Sequence, residues 1–156
     1  LDYDKYAKRS PFELSGGQMR RVAIAGVLAM KPKYLVLDEP AAGLDPRGRD
    51  RILGMIRDLH ASQGTTIMMV SHSMDDIAEL ATRIVVMQDG RLCLNGTPRE
   101  VFMHRDTMDK AGLGVPAPSQ LCARLRAMGL AMPEDLYTMD EVSAWILKAW
   151  KETGKC

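Results

Sequence analysis

The sequence predicts an α/β fold in which a parallel sheet is followed by a terminal β-hairpin and a small C-terminal helical extension. Residues 34–37 and 66–70 are continuous apolar runs with the length of strands that are buried on both faces. Residues 47–62 between them have a helical pattern, and the order strand, helix, strand is typical of a parallel βαβ unit. Asp89-Gly90 separates two further strand-like runs and predicts a tight hairpin turn.

Two of the predicted helices have recognisable start signals. Ser15 and Gln18 have the S-x-x-Q form of a capping box, which predicts a helix that begins near Ser15 and ends at Lys31-Pro32. Ser73 follows the second apolar run and precedes two acidic residues, so we expect it to cap the next helix.

The C-terminal third of the chain has a different composition. Residues 112–118 are rich in glycine and proline, which predicts a linker or extended segment. Beyond it, Leu121 and Leu125 share one helical face, and Thr138 and Glu141 form a second capping box ahead of an apolar stripe. These patterns predict a helical extension after the sheet.

Composition and charge limit the kinds of partner that this chain could have. Its 156 residues are 46% hydrophobic and 26% charged, which is enough for one globular core. The net charge of +1 provides no global field for nucleic acid, which we do not expect as a partner. Cys93, Cys122 and Cys156 lie far apart without CxxC spacing, so we expect free thiols. No apolar run reaches the roughly 18 residues of a membrane span.

The first motif with a chemical meaning is Leu14-Ser15-Gly16-Gly17-Gln18, at the start of the first predicted helix. Glycines let the backbone N–H groups and the positive end of the helix approach an anion without obstruction by a Cβ atom. The motif therefore predicts a surface that binds phosphate. A plain helix cap would use the same residue types, so this alternative stays open on the sequence alone.

The second motif places two adjacent carboxylates, Asp38 and Glu39, at the end of the first predicted strand. Ligands of open α/β sheets bind at this edge. Successive residues point in different directions, so Asp38 could hold a hydrated Mg²⁺ while Glu39 faces a water that attacks a terminal phosphate. The alternative is that Asp38 caps the next helix and Glu39 is a solvated surface charge.

Among the three histidines, His72 has a position that suggests a function. It follows the second predicted strand and so belongs to the same sheet edge as the two carboxylates, where an imidazole could contact a γ-phosphate or orient water. His60 and His104 have no such position, and we expect structural roles for both.

Four motifs, LSGGQ, LVLDEP, AAGLDP and SHS, occur in this order, and over residues 10–104 the chain resembles ABC ATPases. The resemblance implies a partial P-loop NTPase-type sheet and the cofactors ATP and Mg²⁺. It also implies the following roles: Leu14, Ser15, Gly16, Gly17 and Gln18 as the signature motif that binds nucleotide, Asp38 as the metal ligand, Glu39 as the general base, Asp45 in the D-loop, and His72 as the switch histidine.

In such ATPases two subunits pair head to tail, and the signature motif of one closes on ATP held by the phosphate loop of the other. This chain contains no G-x-x-x-x-G-K-[ST] loop, and it begins at Leu1 with a motif already within its first fifteen residues. We therefore expect it to be a piece of a longer protein. Alone, it should bind Mg-ATP weakly and not hydrolyse it, and its exposed apolar sheet edges should favour self-association.

A second pattern follows the hairpin: Asn95-Gly96-Thr97-Pro98-Arg99-Glu100-Val101-Phe102, then Gly114-Val115-Pro116, Leu121, Leu125, Gly129-Leu130 and the helix at Thr138. It resembles the energy-coupling factor subfamily, whose ATPases drive importers of vitamins and transition-metal ions, including cobalt, and have a C-terminal helical extension. This resemblance implies a division into residues 1–104, the C-terminal part of an ABC ATPase domain, and residues 105–156, which would help to pair two ATPase subunits. It further implies transmembrane coupling and substrate-binding subunits as partners, at the cytoplasmic face of the cell membrane. Alternatively, apolar residues such as Leu121, Leu125, Trp145 and Ile146 pack on the chain's own core.

Two other functions are compatible with part of this sequence pattern. A soluble ABC-type ATPase of DNA repair or translation would have the same motifs, usually with a coiled-coil insertion or tandem ATPase halves. A non-catalytic module that dimerises through residues 105–156 would need only the helical extension.

Overall fold

A computed structural model of the chain describes residues 6–153. These residues form two compact units, and the division falls between Ser71 and His72. The first unit contains a short 3-10 helix (Pro11–Glu13) and the elements α1 (Gly16–Ala29), β1 (Tyr34–Asp38), α2 (Pro46–Gln63) and β2 (Thr66–Val70). The predicted boundary between residues 104 and 105 stays a prediction.

The predicted βαβ unit is present in the first unit. β1 and β2 are parallel, with Tyr34 opposite Thr66 and Asp38 opposite Val70. The carboxyl ends of both strands therefore lie at one edge of the sheet, and the two predicted carboxylates follow β1 there. α2 between the strands ends at Gly64, whose φ of 63° is the left-handed conformation that glycine adopts without strain.

The prediction that both strands are buried on two faces is wrong for this structure. Leu35 is buried, whereas Tyr34, Val36, Met68 and Val70 are 74%, 62%, 60% and 52% exposed. Four further buried aliphatic residues of this unit lie in α2, namely Ile52, Leu53, Ile56 and Leu59. The core therefore forms on the side of the sheet that carries Leu35, and the opposite side stays uncovered.

The second unit begins with α3 (Met74–Leu80) and the predicted hairpin, β3 (Ile84–Gln88) and β4 (Arg91–Gly96). The strands are antiparallel and are joined by Asp89 and Gly90, with φ angles of 51° and 71°. Two successive positive φ angles are those of a type I′ turn, whose twist matches that of the strands. The Asp-Gly signal therefore predicted this turn correctly.

Four helices follow the hairpin: α4 (Pro98–Met103), α5 (Arg105–Lys110), α6 (Ala117–Ala127) and α7 (Met139–Thr153). Cys122, Met132 and Val142 form a buried cluster against which Leu125, Leu136 and Trp145 pack. Leu121 and Ile146 are instead 37% and 41% exposed. The alternative that the apolar stripes pack on the chain's own core is therefore confirmed for Leu125 and Trp145, whereas Leu121 and Ile146 are only partly covered.

The segment predicted as a linker has no regular secondary structure at residues 113–116, where Gly114 has a φ of 67°, and two of its residues are buried. Val115 is 9% exposed and Pro116 is fully buried. The cap at Thr138 is formed as predicted: its Oγ accepts from the N–H of Glu141, 3.3 Å away, and the Glu141 carboxylate accepts from the N–H of Thr138.

Two further expectations concern the whole chain. Cys93 and Cys122 are free thiols, as predicted, and Cys156 lies outside the described residues. From residue 6 to residue 153, no helix has the length and apolar character that would let it cross a membrane.

Candidate functional site

The glycine-containing motif forms the N-terminal cap of α1. The Oγ of Ser15 accepts from the Gln18 N–H at 3.3 Å, and Gln18 Oε1 accepts from the Ser15 N–H at 3.0 Å. The amide of Gln18 also donates to the Tyr6 hydroxyl at 3.1 Å. Leu14, half-buried, precedes this cap. The plain-cap alternative is thus structurally correct, and the side chains of Ser15 and Gln18 take part in it.

A cap of this kind leaves backbone groups for a ligand. The first hydrogen bond within the helix runs from the Met19 N–H to the Ser15 carbonyl at 2.8 Å. The N–H groups of Gly16 and Gly17 precede that bond, so the helix provides no acceptor for them. Because neither residue has a Cβ atom, a phosphate could approach both N–H groups closely.

The two glycines differ in what surrounds them. A Cβ atom on Gly16 would meet no atom within 4 Å, whereas one on Gly17 would lie 3.2 Å from Cδ2 of Leu44. Gly17 therefore lets the start of α1 approach the turn of residues 43–45, the predicted D-loop.

Asp38 and Glu39 lie where β1 ends. Asp38 is exposed and Glu39 is half-buried. The N–H of Glu39 donates to the carbonyl of Val70 at 2.9 Å, which extends the pairing of the two strands by one residue. Glu39 has a φ of 46°, in the left-handed region where a side chain with a Cβ atom is strained. Strain of this kind concentrates at functional sites.

The alternative role of Asp38, a cap for the next helix, is wrong. The N-cap of α2 is Asp45, which accepts from the Gly48 N–H at 3.3 Å, and Pro46 occupies the first turn. A Cβ atom on residue 48 would lie 2.6 Å from Oδ1 of Asp45, so glycine at this position accommodates the cap. The predicted D-loop aspartate therefore has a structural role in this chain, and its predicted contact with nucleotide stays a prediction.

Sequence reasoning missed Arg20, which joins α1 to the turn after β1. Its guanidinium donates to the carbonyls of Ala42 at 2.8 Å, Asp38 at 3.3 Å, and Glu39. The only signal in the sequence was an arginine two residues after the glycine motif, and nothing there indicated that its acceptors would be backbone carbonyls.

The structure places the histidines in different settings. His72 is exposed in the second unit and precedes Ser73, whose Oγ accepts from the Asp76 N–H at 3.3 Å and caps α3 as predicted. Its approach to the two carboxylates stays a prediction. Nδ1 of His60 lies 2.9 Å from the Thr65 carbonyl, which is the structural role expected of it.

Comparison with known proteins gives the same resemblance. A family model described as "ABC transporter" matches residues 1–42. The chain is 53% identical over 148 residues to the energy-coupling factor transporter ATP-binding protein EcfA2 of Clostridium tetani, covering 95% of this chain and 51% of that protein. It is 50% identical over 157 residues to EcfA2 of Clostridioides difficile, covering 100% of this chain and 54% of that protein. Across nearly its whole length, the chain is similar to ATP-binding proteins of the ABC transporter family.

A solved structure of this family confirms the fold class. The chain is 38% identical to cbiO1 from Clostridium perfringens, described as part of the ABC transporter complex cbiONQ, with a TM-score of 0.56. The match covers 77% of this chain and 45% of the other. The α/β fold predicted from the sequence, a partial P-loop NTPase-type sheet with a terminal hairpin and a helical extension, is therefore correct. The chain spans about half the length of the curated relatives it matches.

The residues of this chain fit the magnesium ion that the resemblance to ABC ATPases implies. Within the part of the chain that the structure describes, no group of three or more His, Cys, Asp or Glu could hold a metal ion. Mg²⁺ does not need such a group, because it keeps several waters and binds one or two carboxylates together with substrate phosphates. Asp38 presents one exposed carboxylate at the sheet edge, which suits an ion held mainly by nucleotide.

Proposed function

We propose that this chain is part of the ATP-binding and ATP-hydrolysing subunit of an energy-coupling factor importer, which couples hydrolysis to uptake of a vitamin or a transition-metal ion. Identity of 50% or more to energy-coupling factor ATP-binding proteins, across nearly the whole chain, carries the proposal. The α1 cap, with its two accessible glycine N–H groups, and the adjacent carboxylates after β1 support it.

The proposed site uses residues of this chain for two nucleotides. Ser15, Gly16 and Gly17 present the positive end of α1 to ATP on a second ATPase subunit, arranged head to tail. In the chain's own site, Asp38 holds Mg²⁺ and Glu39 accepts a proton from the attacking water. When bound, Mg²⁺ neutralises charge on the β- and γ-phosphates.

The remaining predicted residues complete this proposal. His72 orients the water or contacts the γ-phosphate, and Asp45 contributes to the D-loop. Because the sequence of this chain has no phosphate loop, we propose that it binds ATP weakly when separated from the rest of the subunit.

The proposed partners are a second ATPase subunit and transmembrane coupling and substrate-binding subunits at the cytoplasmic face of the membrane. Residues 105–156 would help to pair the ATPase subunits. The exposed apolar side chains of α7, Ile146, Leu147 and Trp150, support this role, since they are 41%, 61% and 58% exposed.

The test is to purify the full gene product that contains this chain from detergent-solubilised membranes, and to measure ATP turnover with and without Glu39→Gln. We expect integral membrane proteins to co-purify. Turnover should fall at least 100-fold in the variant, because glutamine cannot accept the proton, while ATP binding is retained.

Glu134→Gln is the matched control, since Glu134 is an exposed residue of the second unit. It should leave turnover unchanged. Co-purification of soluble proteins alone, or full turnover in Glu39→Gln, would contradict the proposed function.

A further inference from the structure

We propose that Arg20 is a positioning residue, which fixes the backbone at Glu39 and couples it to the signature helix α1. This inference rests on the proposed function. It assigns a role to a side chain that lies outside both the signature motif and the carboxylate pair.

The hydrogen bonds of Arg20 fall on both sides of Glu39. The Asp38 carbonyl belongs to the peptide group that precedes the Cα atom of Glu39, and the Glu39 carbonyl belongs to the one that follows it. Arg20 donates to both, and also to Ala42 at 2.8 Å. Fixing two successive peptide planes fixes φ and ψ of the residue between them.

Glu39 needs such support because its backbone is strained. Its φ of 46° is unfavourable for a residue with a Cβ atom, and a strained residue persists only where its surroundings hold it. One support is the hydrogen bond from the Glu39 N–H to the Val70 carbonyl at 2.9 Å. Arg20 holds the turn from the other side, and relaxation of φ would redirect the Cα–Cβ bond and with it the carboxylate.

Arg20 also connects two functions that the proposed mechanism places in different sites. It lies five residues after Ser15 in the same helix, about 7.5 Å along the helix axis. A shift of the α1 N-terminus toward the partner's nucleotide therefore moves Arg20 with it. Through the three carbonyls, this shift would be transmitted to Glu39, which acts on the chain's own nucleotide.

The choice of arginine follows from the number of acceptors. A guanidinium has five N–H donors in a planar fork and can serve three carbonyls at once. A lysine ammonium is a compact charge that cannot span the same set. Arg20→Lys therefore keeps the charge and most of the side-chain volume while it removes the fork.

The test is ATP turnover of the purified complex carrying Arg20→Lys. We expect kcat to fall about 10- to 100-fold, because a misplaced base lowers the rate without weakening binding, and KM to change less than about twofold. Arg51→Lys, on the exposed face of α2, is the matched control and should retain full kcat. Thermal unfolding of both variants separates this effect from a loss of fold.

A second measurement asks whether Arg20 acts through Glu39. In a Glu39→Gln background, Arg20→Lys should not lower the residual turnover further. The proposal would be overturned if Arg20→Lys lowered turnover in this background by the same factor as in the unaltered protein. It would also be overturned if Arg20→Lys alone left kcat unchanged or raised only KM. If the unaltered complex hydrolyses no ATP, the proposed function is itself overturned, so the two failures can be told apart.

Discussion

At the scale of single residues, two neighbouring glycines have different reasons to be glycine. A Cβ atom on Gly17 would press on Leu44, so packing within the chain explains this residue. Gly16 has open space around it and helical geometry, so nothing in the described chain requires a glycine there. A glycine that packing within the chain does not require is expected where an external ligand approaches the backbone closely.

This difference leads to a prediction for Gly16→Ala in the proposed membrane complex. The substitution should leave thermal unfolding almost unchanged, because the added Cβ atom meets nothing in the chain. If the proposed function is right, ATP turnover should fall at least tenfold, because the same atom would stand between the α1 N-terminus and the nucleotide proposed to bind there. Both quantities can be measured on one preparation.

Gly54→Ala is the control for this experiment, since Gly54 also has open space around it and lies inside α2. Alanine there should stabilise the fold by about 0.5–1 kcal/mol through helix propensity and leave turnover unaltered. Normal turnover in Gly16→Ala would show that no ligand approaches this end of α1.

At the scale of elements, local signals in the sequence predicted most boundaries. Ser15 with Gln18, and Thr138 with Glu141, marked two helix starts because a cap is satisfied within four residues of chain. The Asp89-Gly90 turn was equally local. These features depend on no distant contact, and therefore a sequence can specify them alone.

What the sequence did not predict depends on contacts between distant residues. Arg20 reaches carbonyls 18 to 22 positions away, and no local pattern encodes such a pairing. The exposed side of the sheet at Val36 and Met68 depends on what covers it, which an apolar run does not specify. Asp45, rather than Asp38, caps α2, because the chain turns at residues 40–44 before the helix begins.

One network connects two helical elements of the second unit. Arg99 of α4 forms ion pairs with Asp135 and with Glu141 of α7, and its guanidinium lies 5.3 Å from the ring centre of Tyr137. Burial opposes the charge of Glu141, but hydrogen bonds from the N–H groups of Tyr137 and Thr138, and the Arg99 charge, lower its pKa. The start of α7 is therefore held by a carboxylate that must stay ionised.

This network predicts how stability depends on pH. Because the pKa of Glu141 is lowered on folding from its ordinary value of 4.5, its contribution is complete above that value and is lost as pH falls through the lower folded pKa. The ion pair with Arg99 is partly exposed, so we expect it to contribute about 0.5–1 kcal/mol to the free energy of unfolding. The free energy of unfolding, measured with urea at pH 7 and at pH 3.5, should differ less between the two pH values in Glu141→Gln than in the unaltered chain.

Glu152→Gln is the matched control in α7, where Glu152 pairs with Lys148 at 4.0 Å on an exposed surface. It should keep the pH dependence of the unaltered chain. If the stability of Glu141→Gln depended on pH as much as that of the unaltered chain, the role assigned to this carboxylate would be contradicted. Asp135 would then be the group to test.

At the scale of the whole molecule, the uncovered side of the two-stranded sheet is the most distinctive feature. Tyr34, Val36, Met68 and Val70 alternate with buried or half-buried residues along two paired strands, and all four are more than half exposed. Contiguous apolar surface of this kind is rare on soluble monomers. The chain spans about half the length of its curated relatives.

These observations predict that the isolated chain self-associates. Covering apolar side chains stabilises by roughly 25 cal/mol per Å² removed from water, so contact between two such sheets is favourable, and unpaired strand edges can add backbone hydrogen bonds. Light scattering of the purified chain should show a mass that exceeds 17.3 kDa and rises with concentration.

Substitution of Val36 and Met68 by threonine tests which surface is responsible. Threonine keeps a high strand propensity while it removes most of the apolar area, so this variant should shift toward the monomer. Met128→Thr, at a residue of the second unit that is 77% exposed, removes comparable apolar area outside the sheet and should not. If both variants associate as the unaltered chain does, the sheet is not the contact. Association that only Met128→Thr weakens would assign it to the helical extension, which is the surface proposed to pair ATPase subunits.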